Sequence, residues 1–324
     1  MKKRAILFLI SFSLIAALVY ISNPSEIASI LSGASLKYVG LALFFWFVGS
    51  LVRTGRWSYL LRRTGIVASF GDLWKYYVSG MALSNFSPGK TADPVRAVFL
   101  KKLDGESFSK GLGSVMAERI FDIVTLALIS LISLSWLATS SSIIRWVYVS
   151  IGVYAFVILF GLYLVFSEGK LEWFLNKVVS IFSFIPGVSK LEEKIEGFCG
   201  KLKESLGNYG SFRTVLKSLF FSFLVWVTNA LLVKMVFNAL GLQASVVVVL
   251  GVYCTAVLLG LLTFLPGALG SSEVIQVSLY GALIPYGASA LTSAVLLTRF
   301  TNFFVYAVIG ALILSTMPKE LVEI

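Results

Sequence analysis

The sequence predicts an all-α fold, a polytopic membrane helix bundle with two Pro-Gly-broken re-entrant hairpins. Hydrophobic residues make up 58% of the 324 residues and charged residues 13%, whereas a soluble domain averages about 25% charged. Apolar runs of about 18 residues or more recur, and each is long enough to cross a hydrocarbon core of about 30 Å. Two further segments contain pairs of shorter apolar stretches that meet at a Pro-Gly step, which is typical of a re-entrant hairpin.

Six apolar runs predict complete spans. They lie at about 5–22, 36–52, 119–139, 143–166, 213–238 and 289–316. The first run follows Met1-Lys2-Lys3-Arg4 and resembles a secretory signal, but no small-x-small cleavage site follows it. We therefore expect this run to remain as an uncleaved first span.

The two broken segments lie at 70–103 and 244–286. Each contains two apolar stretches of roughly 15 residues, which are marginal for a complete crossing at about 1.5 Å per residue. For 244–286, two ordinary spans are the alternative. Both segments have the same order of features, and the first would enter the membrane from the cytoplasm and the second from outside. This weak internal similarity indicates an inverted repeat.

We expect a single transmembrane domain over residues 1–324. A first half of about 1–166 and a second half of about 213–318 flank a cytoplasmic linker of about 168–212. Apolar residues recur in the linker at helical spacing with Lys and Glu between them, which predicts an amphipathic helix on the inner membrane surface. A solvated linker without a specific partner is the alternative.

Positive charges predict the orientation. The net charge is +11, but most Lys and Arg residues lie in clusters between apolar runs, as the positive-inside rule describes. The clusters place both the N-terminus and the C-terminus in the cytoplasm of a multi-pass cell-membrane protein, and no nucleic-acid partner is expected. One cluster is assigned to the cytoplasmic side: Arg53, Arg56, Arg62, Arg63 and Lys75.

Composition also argues against common enzyme chemistries. The chain has no histidine, which is the commonest general base and metal ligand. Of the two cysteines, Cys199 falls in a polar loop and Cys254 in an apolar run, so the pair cannot build a metal site. We expect no metal site, no cofactor and no catalytic residue.

Ionisable side chains at membrane depth are the best functional clues, because each costs several kcal/mol unless it is paired or hydrated. The first group surrounds a Pro-Gly step and contains Asn85, Pro88, Gly89, Asp93 and Arg96. Asp93 and Arg96 share a helix face, and a helix that begins here would direct free N–H groups at the tip, where a phosphate could bind. A capped turn with an Asp–Arg pair is the alternative.

A second group, Glu118, Arg119 and Asp122, lies at the mouth of a span. Asp122 falls inside the apolar run and needs a cationic partner, for which Arg96 or Arg119 is expected. An ion-paired helix end without a binding role is the alternative.

The third group surrounds the second Pro-Gly and consists of Pro266, Gly267, Gly270 and Glu273, with Arg299 in the last apolar run. Glu273 could simply cap the next helix, but a buried Arg299 needs an anion, and Glu273 is the expected one. We hypothesise that the two tips meet in a polar cavity. Arg96 and Arg299 would offer it positive charge, which Asp93, Asp122 and Glu273 would balance, and all the residues of the three groups are candidate substrate-binding residues.

These motifs, taken in order, resemble the family of the lysylphosphatidylglycerol synthetase transmembrane region. They are Arg53-x-x-Arg56-Trp57, Asn85-x-x-Pro88-Gly89, Asp93-x-x-Arg96, Glu118-Arg119-x-x-Asp122, and Leu265-Pro266-Gly267-x-x-Gly270-x-x-Glu273 with Arg299. The resemblance runs from about 36 to 316 and implies translocation of a lipid. Because the sequence ends at Ile324, without the aminoacyl-transferase domain of bifunctional members, the resemblance gives no support for lipid synthesis.

The leading expectation is a flippase-like protein that moves the headgroup of an anionic phospholipid or of a polyprenyl-phosphate glycolipid. Three alternatives stay open: a small-anion transporter, a membrane-embedded transferase that acts on a lipid, and a non-catalytic partner of such an enzyme. A homo-oligomer and a lipid-synthesis enzyme are further candidate partners. No G-x-x-x-x-G-K-[ST] motif is present, so transport driven by the chain's own ATP hydrolysis is not expected.

Overall fold

The computed structural model describes residues 2–87, 92–137 and 207–318, together with isolated positions between 149 and 204. Every regular element within these residues is helical, which confirms the predicted all-α class. The predicted span at 143–166 and the linker at 168–212 lie almost entirely outside the described residues. The same holds for Pro88 and Gly89 of the first tip.

Six helices make up the described part of the first half. They are α1 (Lys2–Ile21), α2 (Pro24–Ser32), α3 (Leu36–Arg63), α4 (Phe70–Asn85), α5 (Val95–Asp104) and α6 (Phe108–Leu137). Helices α4 and α5 occupy the first broken segment, with the tip between them. Helix α5 ends at Gly105, whose φ of 72° is left-handed and suits glycine at a helix C-terminus.

Five further helices follow residue 207. They are α7 (Phe212–Ala239), α8 (Val246–Leu261), α9 (Ser271–Leu283), α10 (Ala288–Arg299) and α11 (Val305–Thr316), and a π-helical turn (Phe300–Phe304) joins the last two. Serine side chains cap three helices: Ser69 accepts from Asp72 N, Ser211 from Thr214 N and Ser245 from Val248 N. Such caps satisfy backbone donors that a helix leaves unpaired at its start.

Two helices extend beyond the predicted spans. Helix α3 continues past residue 52 to Arg63, and α6 begins at Phe108 rather than at 119. In both places the polar stretch is helical, and Arg56 of α3 and Glu118 of α6 pair with each other across the two helices. The other described spans match their predicted positions to within a few residues.

Among the described residues, three helices are long and apolar enough to cross a membrane: Leu36–Arg63, Phe212–Ala239 and Ala288–Thr316. A fourth candidate consists of α1 and α2, which meet at a bend of 87°. A hydrogen bond between the hydroxyls of Ser22 and Thr292, and one that Ser289 donates to Glu26, attach this bend to α10. By length and composition, these helices are typical of a membrane-spanning protein.

Helices of the first half pack against helices of the second half. Helix α3 runs antiparallel along α7, since Ser35 N donates to Ala239 O at one end and the ring of Tyr59 lies against that of Phe221 farther along. Helix α4 packs against α11, the last helix of the second half, and α8 packs against α6 of the first half. Each of these two pairings joins a helix of one predicted half to a helix of the other.

Candidate functional site

Arg56 on α3 is the centre of a buried ionic cluster. Its Nη2 lies 2.9 Å from Oε1 of Glu118, and its Nη1 lies 2.5 Å from Oδ1 of Asp122. Its Nη1 also donates to Ser222 Oγ on α7 at 2.6 Å. Arg56 and Glu118 are fully buried and Asp122 nearly so. An unpaired buried charge in a membrane protein costs several kcal/mol. The ion pairs of Arg56 therefore fix the position of α6 relative to α3.

Arg96 on α5 belongs to the same cluster. Its Nη1 donates to Oε2 of Glu118 at 3.1 Å, and its guanidinium lies 5.0 Å from the ring centre of Trp57 and 4.6 Å from that of Tyr77. Tyr77 OH also donates to Glu118 at 3.3 Å. A cation on the faces of two aromatic rings is stabilised electrostatically by both. Arg96 is therefore enclosed by its partners.

Arg119 links the cluster to the first tip. It forms an ion pair with Asp93, which also accepts from Ser84 Oγ, and its Nη1 lies 3.8 Å from Asp122. Its side chain is 28% exposed, and its Nη2 has no hydrogen-bond partner among the described residues. Arg119 therefore has a buried Nη2 that no described residue satisfies.

The second tip forms a smaller ionic group. Arg299 pairs with Glu273 and donates to Ser272 Oγ, and its Nη2 also reaches Ala268 O at 3.3 Å. The Arg299–Glu273 pair confirms the predicted partner. The tip backbone is strained, because Phe264 and Ala268 have φ values of 52° and 53°, a region that L-residues rarely adopt. Such strain persists where the surroundings impose it and is frequent at functional sites.

The two tips meet inside the bundle. Gly267 has a φ of 56°, and a Cβ built on it would lie 2.5 Å from Asn85 O and 2.5 Å from the ring of Phe303. Phe86, at the end of α4, packs edge-on against Phe303 with ring centres 5.2 Å apart. Only glycine permits this approach. The hypothesis that the tips meet is confirmed for the described part of each tip.

A cavity of about 90 Å³ lies where the tips meet. That volume holds several water molecules or a polar group of similar size. The cavity is lined by Arg53, Met81, Asn85, Arg119, Trp226, Tyr253, Val257, Gly260, Leu261, Leu265, Gly267, Ala268, Ser272, Gln276, Thr298, Arg299, Asn302, Phe303 and Tyr306. Among the described lining residues, three carry guanidinium groups and none carries a carboxylate.

Arg53 differs from the other arginines of the site, because it has no carboxylate partner within the described residues. Within the described part of the chain, Arg56, Arg96, Arg119 and Arg299 each pair with a carboxylate. Arg53 contacts none at ion-pair distance there; its guanidinium lies 5.6 Å from the ring centre of Trp226. It is only 8% exposed. Whether buried or partly exposed, the five guanidinium groups of the described site outnumber its four carboxylates by one, and Arg53, which lines the cavity, is the one without an ion pair there.

The candidate residues are thus divided between two places. Asn85, Arg119, Gly267 and Arg299 line the cavity. Asp93, Glu118, Asp122 and Glu273 are buried beside it as partners of the arginines, and Pro266 and Gly270 form the second tip. The expectation that Arg96 offers its charge to the cavity is wrong, because Glu118, Trp57 and Tyr77 surround it.

Two arginines assigned from the sequence to the cytoplasmic side have other roles. Arg56 is fully buried and is the main partner of Asp122, for which Arg96 or Arg119 was expected, and Arg53 lines the cavity. The spacing Arg53-x-x-Arg56 places both on one face of a helix. The same helix face continues into the apolar run that precedes Arg53. That continuity is the signal that could have identified both arginines as buried. Arg62 and Arg63 are exposed, as expected.

The fold and the site define a class: a polytopic helical membrane protein with paired charges inside the bundle and an arginine-lined cavity between two broken helices. The model of the family described as the lysylphosphatidylglycerol synthase TM region matches residues 6–310. The chain belongs to this family.

Similar proteins share most of the chain's length. A UPF0104 membrane protein of Pyrococcus horikoshii is 24% identical over 334 residues, covering 99% of each chain. One from Methanothermobacter thermautotrophicus is 26% identical over 319 residues, covering 95% of this chain and 94% of the relative. Glycosyltransferase AglD of Haloferax volcanii is 28% identical over 303 residues, which cover 85% of this chain but 48% of that protein.

Proposed function

We propose that this protein binds the phosphate-bearing headgroup of an anionic lipid in the arginine-lined cavity and moves it across the bilayer without chemical change. The observation that carries the proposal is that Arg53, Arg119 and Arg299 line the cavity and that no carboxylate lines it in the part of the chain that the structure describes. A buried cation without a counterion is costly, and a bound anion removes that cost. Guanidinium groups also match phosphate oxygens in geometry.

The position of the cavity supports a lipid rather than only a soluble anion as the ligand. It lies between the tips of two broken helices, and the aromatic rings next to the tips, those of Phe86, Phe264 and Phe304, are largely exposed. Exposed apolar side chains on a membrane protein face lipid tails without penalty. A headgroup could therefore occupy the cavity while its tails stay in the bilayer.

The membrane-embedded transferase is the weaker alternative. Its carboxylate pair would be Asp93 and Asp122, and both are engaged in ion pairs, with Arg119 and with Arg56. The relative named as a glycosyltransferase carries a region similar to this chain in about half of its length. That name supports a sugar-bearing lipid as one candidate substrate.

Translocation can be tested with the purified chain in liposomes that contain a fluorescent phosphatidylglycerol, by following the fraction of probe that external dithionite reduces. We expect Arg53→Gln to slow transbilayer movement at least tenfold. Arg62→Gln is the matched control, because Arg62 lies on the same helix and is exposed. Equal rates for the wild type and Arg53→Gln would overturn the proposal.

A further inference from the structure

The hydroxyl of Tyr253, on α8, lies at the wall of the cavity between the tips. Tyr253 and Asn302 both line this cavity, and both residues are partly exposed. Asn302 Nδ2 donates to Tyr253 OH at 2.8 Å. Because the two residues that share this hydrogen bond both line the cavity, the hydroxyl lies at the cavity wall. Asn302 belongs to the π-helical turn, a rare element that is frequent at functional sites.

A chain of hydrogen bonds fixes the direction in which this hydroxyl donates. Asn229 Nδ2 donates to Val225 O at 2.7 Å, so Asn229 Oδ1 is the amide atom left to accept. Asn302 Nδ2 donates to this Oδ1 at 3.2 Å and to Tyr253 OH at 2.8 Å. Turning the Asn302 amide over would set two acceptors face to face at Asn229. Tyr253 OH is therefore the acceptor in its bond with Asn302, and its own hydrogen is directed elsewhere.

That hydrogen has no acceptor among the described residues. A donor left without an acceptor away from bulk water is unfavourable, so a ligand oxygen that accepts from Tyr253 would be bound more tightly.

The surroundings of Tyr253 select the charge of that ligand. The ring of Trp226 lies 6.4 Å from the ring of Tyr253, between centres, and the guanidinium of Arg53 lies 5.6 Å from the ring centre of Trp226. The neutral donor and the cation without an ion pair in the described site therefore both lie next to Trp226. An anion with several oxygens can accept from both groups at once, and hydrogen bonds to an anion are stronger than neutral ones.

We infer that Tyr253 binds the anion directly, by donating its hydroxyl hydrogen to an oxygen of the phosphate that the arginines hold. Asn302 is a positioning residue, because it occupies the acceptor side of the hydroxyl and leaves the hydrogen for the ligand. The inference rests on the proposed function, since it adds a binding residue to the same cavity. Tyr306 also lines the cavity, but no described residue donates to its hydroxyl, so the same argument does not apply to it.

Tyr253→Phe tests the inference, because it removes the donor and keeps the ring against Trp226. The purified full-length chain would be placed in phosphatidylcholine nanodiscs with increasing fractions of phosphatidylglycerol, and bound phosphatidylglycerol would be counted by native mass spectrometry. We expect the apparent affinity to fall about ten- to a hundredfold, the ratio for one hydrogen bond to a charged group. Tyr280→Phe is the matched control and should leave the affinity unchanged. In the described part of the chain, Tyr280 OH is buried without a hydrogen-bond partner and does not line the cavity.

The role of Asn302 is tested by its dependence on Tyr253. Asn302→Leu should lower the affinity about three- to tenfold, since the hydroxyl can then turn its hydrogen away from the ligand. In the Tyr253→Phe background the same exchange should have no further effect. A merely structural role would lower the affinity by the same factor in both backgrounds, and that result would overturn the assignment of Asn302.

The outcomes separate this inference from the proposed function. Wild-type affinity in Tyr253→Phe, with binding lost in Arg53→Gln, would overturn the inference and leave the proposed function standing. Equal losses in Tyr253→Phe and Tyr280→Phe, or a loss in Tyr306→Phe alone, would do the same. Binding that Arg53→Gln leaves unchanged would overturn both. Inorganic phosphate that competes as strongly as phosphatidylglycerol, and does so through Tyr253, would support the donor but overturn the lipid part of the proposed function.

Discussion

Replacing Arg56 with methionine should destabilise the fold strongly, whereas the same exchange at Arg53, three residues earlier on α3, should not. Removing Arg56 leaves Glu118 and Asp122 without their shortest partner and removes the hydrogen bond to Ser222. Breaking a buried ion pair by deleting one member typically costs about 3–5 kcal/mol, because the remaining charge stays buried.

The expected magnitude at Arg53 is much smaller. Within the described residues it forms no ion pair, and its guanidinium lies over the ring of Trp226, a contact worth about 0.5–2 kcal/mol. Removing Arg53 also removes a buried cation without a counterion, which offsets that loss. We expect a net change within about 1 kcal/mol of zero, and therefore a difference of several kcal/mol between two identical exchanges.

Thermal unfolding in detergent, followed by size-exclusion chromatography of the remaining monodisperse fraction, measures both variants against the wild type. Arg56→Met should lower the midpoint by several degrees, and Arg53→Met should leave it nearly unchanged. Arg62→Met, at an exposed position of the same helix, controls for the loss of positive charge. If Arg53→Met and Arg56→Met destabilised the protein equally, Arg53 would have a counterion and the excess charge at the cavity would not exist.

Further predictions concern the tip, the cluster and the topology. Gly267→Ala should destabilise the protein by about 1–3 kcal/mol, because its φ of 56° and the nearby Asn85 O leave no room for a methyl group; Gly55→Ala, with open space around it, should be neutral or stabilising in the same thermal assay. Ser222→Ala should lower stability by about 1.5–3 kcal/mol, as expected for a hydrogen bond to a charged group, and a chemical denaturation series would measure it. In a Cys199→Ser background, Gln243→Cys should react with a membrane-impermeant maleimide in intact cells, and Lys75→Cys should react only after permeabilisation; the reverse pattern would invert the predicted orientation.

The helix pattern could be predicted from hydropathy because every membrane span must meet the same requirement. A run of apolar residues must satisfy its backbone internally, and helices do so. The broken segments were recognisable for the same reason, since Pro-Gly interrupts them. The end of α3 was missed because hydropathy treats Arg53 and Arg56 as loop residues. Their burial depends on Asp122, 66 residues beyond Arg56, and on Trp226 of the second half.

The sequence identified many residues of the site, but it did not show how they are arranged. Asp122, Glu273 and Arg299 stood out because charge at membrane depth is rare, and the Glu273–Arg299 pair follows from their isolation. Which arginine faces the cavity did not follow. Arg96 and Arg119 look alike along the chain, and only the packing of Trp57 and Tyr77 around Arg96 separates them.

The packing of helices from one half on helices of the other affects how the protein assembles during synthesis. Helix α4 packs on α11, which is synthesised some 220 residues after it, and α8 packs on α6. Neither hairpin can complete its packing from its own half, and such distant contacts slow assembly. Helix α4 therefore cannot complete its packing until α11, near the end of the chain, has been synthesised and inserted.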